Sequence, residues 1–84
     1  MQDLTTLHTV VIKTLDKKIL IFLGAKIRKE RVARGLSQEK LGELAKLHRT
    51  YIGMIERAEK NITLMNLRKI ADALGLETKN LIDF

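Results

Sequence analysis

The segment 37–57 contains two short stretches of helical periodicity with very little chain between them, and this spacing restricts the possible folds. Ser37 is a favourable N-cap residue for the first stretch, and its apolar stripe consists of Leu41, Leu44 and Ala45. The run KLHRT interrupts this stripe, and a new pattern begins directly after it. Two short helices joined by a turn of about three residues are therefore expected.

The second of these helices has two chemically different faces. At about 100° per residue, Ile52 and Ile55 lie on one face, with Tyr51 at its border. The opposite half contains the polar or small residues and one methionine: Arg49, Thr50, Gly53, Met54 and Arg57. A capped helix, a tight turn and a second helix with a polar outer face are typical of a helix-turn-helix.

The rest of the chain also predicts helices, because it contains no proline and only five glycines. The apolar residues Ile19, Leu20, Leu23 and Ile27 share a helical face, and Gly35 ends that helix. Thr63 can cap a later helix that Gly75 closes, with the stripe Leu64, Leu67, Ile70, Ala71 and Leu74. The segment 77–84 predicts one or two further helical turns.

Residues 1–18 are a separate N-terminal extension in this interpretation, and residues 19–84 form the domain. Leu4, Leu7, Val11 and Leu15 have helical spacing, but TTLHTVVIKT is rich in β-branched residues. An additional helix, a disordered arm and a short strand are all compatible with this pattern.

The composition favours a polyanionic partner over catalysis. The net charge is +6, which indicates nucleic acid or an acidic membrane surface. No cysteine is present, His8 and His48 are far apart, and no phosphate-binding loop occurs, so neither an enzyme nor a metal or cofactor site is expected. The lack of cysteine also favours a reducing cytoplasm. The apolar run 19–25 is too short to cross a bilayer.

The polar face of the second helix has the chemistry needed to bind DNA. Arg49 can donate two hydrogen bonds to guanine O6 and N7, and Thr50 can bond a base or contact a thymine methyl group. Met54 can make an apolar base contact, and Arg57 can reach a phosphate. Gly53 has no side chain and would let the helix approach DNA closely.

Three segments, IRKERVARGLSQ, LHRTYIGMIER and LRKIADALGL, resemble the Cro and phage-repressor (XRE) helix-turn-helix family. Within it, the chain is most similar to the controller proteins of restriction-modification systems. The resemblance implies an all-α, five-helix, lambda-repressor-like domain that binds a pseudo-palindromic operator as a homodimer. It also implies a transcription regulator, with a phage-type repressor or an antitoxin or adaptor module as alternatives.

Site residues follow from the same resemblance. Arg49, Thr50 and Met54 occupy the base-reading positions, and Arg31 with Glu56 matches an ion pair that also places the arginine near phosphate. The other positions expected to contact the DNA backbone are Ser37, Gln38, Lys46, His48, Tyr51, Arg57 and Asn61. Lys46 and Ala58 stand where glycine is common, His48 replaces the usual cap, and Glu30 replaces an aliphatic residue.

The apolar C-terminal residues are candidates for the dimer interface, although they also suit the core. They are Leu76, Leu81, Ile82 and Phe84. Glu39 and Glu43 are candidates for contact with RNA polymerase if the protein activates transcription. The expected partners are therefore double-stranded DNA, a second copy of the chain and, if the protein activates transcription, RNA polymerase.

Overall fold

The computed structural model describes the backbone of residues 4–83 and the side chains of residues 17–83. Within this range the chain forms α1 (Leu4–Ala33), α2 (Gln38–Ala45), α3 (Arg49–Glu56), α4 (Leu64–Leu74) and α5 (Thr78–Leu81). No strand occurs in the described range. The predicted all-α, five-helix class is confirmed.

Helix α1 is much longer than the other helices and spans 30 residues. It begins at Leu4, so the segment 4–18 continues into the helix of the domain without a break. Of the three structures that suited the extension, the helix is the one observed. A division of the chain at residue 18 stays a prediction.

Helices α2 and α4 begin where the sequence placed them, because their capping groups form local hydrogen bonds. Ser37 Oγ accepts a hydrogen bond of 2.9 Å from the Lys40 amide, and Thr63 Oγ1 accepts one of 3.1 Å from the Asn66 amide. Gly35 and Gly75, which follow α1 and α4, both have positive φ. These caps fix where α2 and α4 begin.

Every helix contributes to one hydrophobic core. The buried residues are Leu23, Ile27, Leu41, Ala45, Ile52, Ile55, Leu67, Ile70, Ala71, Leu74 and Leu81. Ile52 and Ile55 are therefore buried as predicted, and they leave the opposite face of α3 toward solvent. At about 25 cal/mol per Å² of apolar surface, this cluster supplies the main stabilising term for so small a domain.

Three residues that the periodicity assigned to the core are exposed, so that part of the prediction is wrong. Ile19 is 45% exposed, Leu44 48% and Leu64 76%. The buried side of α2 is centred on Ala45 and includes Gly42, which turns Leu44 outward. Leu64 is the first residue of α4, and Ile19 lies about 80° around α1 from the fully buried Ile27.

The C-terminal residues predicted to form the dimer interface differ in burial, and their role in an interface stays a prediction. Leu81 is fully buried and belongs to the core, because α5 packs against α4 and α1. Leu76 is partly buried against the same core, and Ile82 is 47% exposed. Phe84 lies outside the described residues. Among the three predicted interface residues that the structure describes, Ile82 is thus the most exposed.

Helices α1 and α3 approach each other so closely that only glycine fits at residue 24. A Cβ atom on Gly24 would lie 2.5 Å from the carbonyl oxygen of Ile55 and 2.7 Å from that of Glu56. Both oxygens belong to the backbone and cannot rotate away. The position of α3 relative to α1 therefore depends on the missing side chain of Gly24.

Candidate nucleic-acid interface

The turn between α2 and α3 is held by backbone hydrogen bonds, although Lys46 at its start adopts a backbone conformation that is unfavourable for residues other than glycine. Lys46 ends α2 in the left-handed conformation with φ 58°, where the family pattern has glycine. The Leu47 amide donates to the carbonyl of Gly42 at 2.8 Å, which closes the turn. The Lys46 side chain is exposed, so its ammonium group is available for a phosphate.

His48 acts as the N-cap of α3 in place of the usual serine, aspartate or asparagine. Its Nδ1 accepts a hydrogen bond of 3.0 Å from the Thr50 amide. An acceptor Nδ1 places the proton of the neutral ring on Nε2. The cap is therefore formed, and Nε2 remains a donor on an exposed ring.

The outward face of α3 presents the predicted base-reading residues together. Arg49 and Thr50 are exposed in the first turn, and Met54 is half-buried one turn later. Arg49 Nη1 lies 3.4 Å from Glu39 Oε2, and both side chains are 65% exposed. An ion pair this open to solvent is worth about 0–1 kcal/mol. It orients Arg49 only weakly, and the arginine can exchange this partner for a base edge.

A partly buried polar network fixes the orientation of α3. Arg31 Nε donates to Glu56 Oε2 at 2.7 Å and Nη2 to Oε1 at 3.0 Å, so the predicted pair is a two-bond contact. Gln38 Nε2 donates to Glu56 Oε1 at 3.1 Å. The carboxylate of Glu56 thus joins α1, the first residue of α2 and the end of α3.

The ion pair in this network is largely shielded from solvent. The side chain of Glu56 is 3% exposed and that of Arg31 is 12% exposed. The hydrogen bond to Glu56 raises the pKa of Arg31, and this outweighs the opposing effect of burial. Arg31 Nη1 also donates to the carbonyl of Leu36 at 2.7 Å. All three nitrogens of the guanidinium group therefore have protein partners, and its first role here is structural.

The surface beside the network is concave and basic. It is lined by Arg28, Arg31, Gln38, Glu56 and Arg57. Arg57 Nε lies 3.0 Å from Glu59 Oε1, an exposed and therefore weak ion pair. The side chains of Gln38 and Arg57 lie over Gly53, where a Cβ atom would be 3.0 Å from Arg57 Nη1 and 3.2 Å from Gln38 Oε1.

That arrangement corrects the explanation of Gly53 as a position left open for DNA. Gly53 is buried, and its neighbours are protein side chains rather than an empty surface. Because Gly53 has no side chain, the side chains of Gln38 and Arg57 can lie against the surface of α3 at this position. Because both side chains are predicted to contact phosphate, Gly53 affects DNA binding indirectly through their positions.

The remaining predicted backbone-contacting residues lie around α3. Ser37 and Asn61 are exposed, whereas the Tyr51 ring is partly buried against the core. Two contacts of this region were missed by the sequence analysis. Asn66 Nδ2 donates to Tyr51 Oη at 3.0 Å, and Lys17 Nζ donates to the carbonyl of Ala58 at 2.8 Å. Both hydrogen bonds join residues that are distant in sequence, so the helical spacing of the residues does not predict them.

Two further kinds of feature, a cluster of metal-ligating side chains and a membrane-spanning helix, are not found among the described residues. They contain no group of three or more histidine, cysteine, aspartate or glutamate side chains that could hold a metal ion. None of the helices searched within the described range is long and apolar enough to cross a membrane.

The fold and the exposed face of α3 define a helix-turn-helix protein. Residues 27–81 match the helix-turn-helix family HTH_3, and the chain belongs to this family. The family resemblance drawn from the sequence is confirmed.

Several relatives of the chain are control proteins. The chain is 44% identical over 71 residues to control protein C.BamHI of Bacillus amyloliquefaciens, covering 83% of this chain and 88% of that one. It is 45% identical over 60 residues to control protein C.SmaI of Serratia marcescens, covering 71% of each. The solved restriction-modification controller protein C.AhdI of Aeromonas hydrophila superposes with a TM-score of 0.73 and 44% identity, covering 74% of this chain and 94% of that one.

Proposed function

We propose that this protein is a sequence-specific DNA-binding transcription regulator that controls a restriction-modification system. The observation that carries the proposal is the exposed pair Arg49 and Thr50 at the start of α3, on a helix whose other face is buried. The similarity to C.BamHI, C.SmaI and C.AhdI supports the same role. No catalytic step is part of this function.

In this mechanism α3 enters the major groove. Arg49 reads guanine with a two-bond contact, Thr50 bonds a base or contacts a thymine methyl group, and Met54 covers an apolar edge. The surrounding side chains bind the backbone and set the register of α3. They are Ser37, Gln38, Lys46, His48, Tyr51, Arg57 and Asn61, with Arg31 able to add its unused N–H groups.

The protein acts as a homodimer in this proposal, because each chain presents a single recognition helix. Two such helices about 34 Å apart would read half-sites about 10 base pairs apart on a pseudo-palindromic operator. The exposed Ile82 and the partly buried Leu76 are the interface residues that the structure leaves accessible. Phe84 belongs to the same proposed interface.

Contact with RNA polymerase is assigned to the outer side of α2. Glu39 and Glu43 are both exposed there, next to the DNA-binding face. Glu39 also pairs with Arg49, so DNA binding that draws Arg49 away would release this carboxylate. The protein would work on the nucleoid in the bacterial cytoplasm.

Promoter occupancy in the cell tests the regulatory role. Chromatin immunoprecipitation of the wild-type protein should enrich the DNA upstream of its own gene, and transcripts of the adjacent restriction-modification genes should change when Arg49→Ala removes that occupancy. Arg68→Ala is the matched control, because it removes a similarly exposed arginine on α4 that pairs with Asp72 among the described residues. Loss of occupancy without any change in these transcripts would contradict the regulatory role.

A further inference from the structure

We infer that Asn66 is a positioning residue for DNA binding, whose side-chain amide holds the Tyr51 hydroxyl so that its O–H group points at a DNA phosphate. The inference rests on the proposed function and adds a residue that lies on α4, outside the helix-turn-helix itself. Its basis is the hydrogen bond of 3.0 Å from Asn66 Nδ2 to Tyr51 Oη.

Both partners of this hydrogen bond are held independently of each other. The ring of Tyr51 packs against the core, which leaves the hydroxyl at the edge of α3. The backbone amide of Asn66 is bound by Thr63 Oγ1 at 3.1 Å, which fixes the first turn of α4. The contact is partly buried, so water competes for it less than at the open surface.

The direction of this hydrogen bond decides what the hydroxyl group can do. A tyrosine hydroxyl carries one proton and can accept two hydrogen bonds. Because Asn66 donates through Nδ2, the hydroxyl proton is not used in this contact. Among the described side chains and backbone groups, no acceptor receives it.

A phosphate oxygen is the acceptor that this arrangement suits. Tyr51 lies in the first turn of α3, two residues after the base-reading Arg49, at the border between the buried face and solvent. A donor that itself accepts a hydrogen bond is polarised and becomes a stronger donor. Hydrogen bonds to charged groups are stronger than those between neutral groups. A Tyr51 hydroxyl already oriented toward a phosphate should therefore contribute measurably to DNA affinity.

The test is a double-mutant cycle measured on a DNA duplex that the wild-type protein has selected from a randomised pool. Tyr51→Phe removes the hydroxyl and should weaken binding about tenfold or more. Asn66→Leu removes the amide donor at similar size and should weaken binding roughly 1.3- to 4.5-fold. In the Tyr51→Phe background, Asn66→Leu should have no further effect.

Two additional measurements separate positioning from a general structural role. The extra loss from Asn66→Asp relative to Asn66→Leu should be larger in the wild type than in Tyr51→Phe, because a carboxylate accepts the Tyr51 proton and turns it away from DNA, whereas its repulsion of phosphate is the same in both backgrounds. The NMR signals of the Asn66 side-chain amide should move on DNA addition in the wild type and stay in place in Tyr51→Phe. Equal losses from Asn66→Leu in both backgrounds, or unchanged affinity in Tyr51→Phe, would overturn the inference.

Failure of this inference is distinguishable from failure of the proposed function. If the wild-type protein selects no sequence from the pool, the proposed DNA-reading role fails, and the inference fails with it. If the wild type binds a selected sequence and Arg49→Ala loses it while Tyr51→Phe and Asn66→Leu retain full affinity, the regulatory function stands and only the role of Asn66 is refuted.

Discussion

Substitution of Gly24 by alanine tests whether α3 is positioned by its close contact with α1. The added Cβ would lie 2.5 Å from the Ile55 carbonyl oxygen, and reaching an ordinary contact of 3.4 Å requires a shift of roughly 0.9 Å. Such overpacking costs about 1–3 kcal/mol, and a rigid backbone oxygen as the neighbour favours the upper end. Alanine recovers about 1 kcal/mol of helix propensity. A net loss of about 2 kcal/mol is expected.

Gly53→Ala provides a matched control for this experiment. It is also a glycine-to-alanine change inside a helix, with the same gain in propensity. Its new Cβ would meet only the ends of the Arg57 and Gln38 side chains, at 3.0 and 3.2 Å. These side chains can move, so the stability of Gly53→Ala should stay within about 1 kcal/mol of the wild type.

Thermal and chemical denaturation, followed by circular dichroism, measure the free energy of unfolding and the Tm of both variants. A loss of 2 kcal/mol corresponds to a fall in Tm of roughly 8–16 °C for a domain of this size. Gly24→Ala should also bind DNA more weakly, because any shift of α3 moves Arg49. Equal stability of the two variants would refute the claim that the α1–α3 contact excludes a side chain at residue 24.

Three smaller perturbations follow from the turns and the surface ion pairs. Ala58→Gly should stabilise the protein by roughly 1 kcal/mol, because Ala58 has φ 59°; a lower Tm would contradict this. Lys46→Gly should relieve similar strain at φ 58° and also reduce the slope of log K against log salt for DNA binding by about 0.9; an unchanged slope would exclude a phosphate contact. The hydrogen bond from Arg34 lowers the pKa of Glu30 below 4.5, so this carboxylate stabilises the fold above that pH and loses its effect as acid protonates it. Glu30→Gln should therefore be less stable than the wild type at pH 7 and equal to it at strongly acidic pH, and a difference that persists in acid would contradict the assignment.

Much of the local structure was predictable because its causes are local. Ser37 and Thr63 cap the helices that follow them, since each hydroxyl bonds an amide three residues ahead. Ile52 and Ile55 could be assigned to the core from spacing alone. The predicted partnership of Arg31 and Glu56 came from the family resemblance, because 25 residues separate the pair.

The remaining features depend on how the helices pack, which periodicity does not specify. Leu44 and Leu64 fit an apolar stripe but lie outside the surface that the neighbouring helices cover. The sequence of α1 alone does not show that Gly24 is needed, because the atoms that exclude a side chain there belong to α3. The contact between Asn66 and Tyr51 requires the relative position of α3 and α4, so no pattern within either helix predicts it.

Sequence-specific DNA reading by a pair of α3 helices is the central claim, and selection from a random DNA pool tests it most directly. The purified wild-type protein would be mixed with randomised duplexes at about 0.15 M salt, and the retained DNA sequenced. Enrichment of a pseudo-palindrome with guanine at matched positions, about 10 base pairs apart, is the predicted result. Retention of DNA without any sequence enrichment would leave only charge-driven binding and contradict the account.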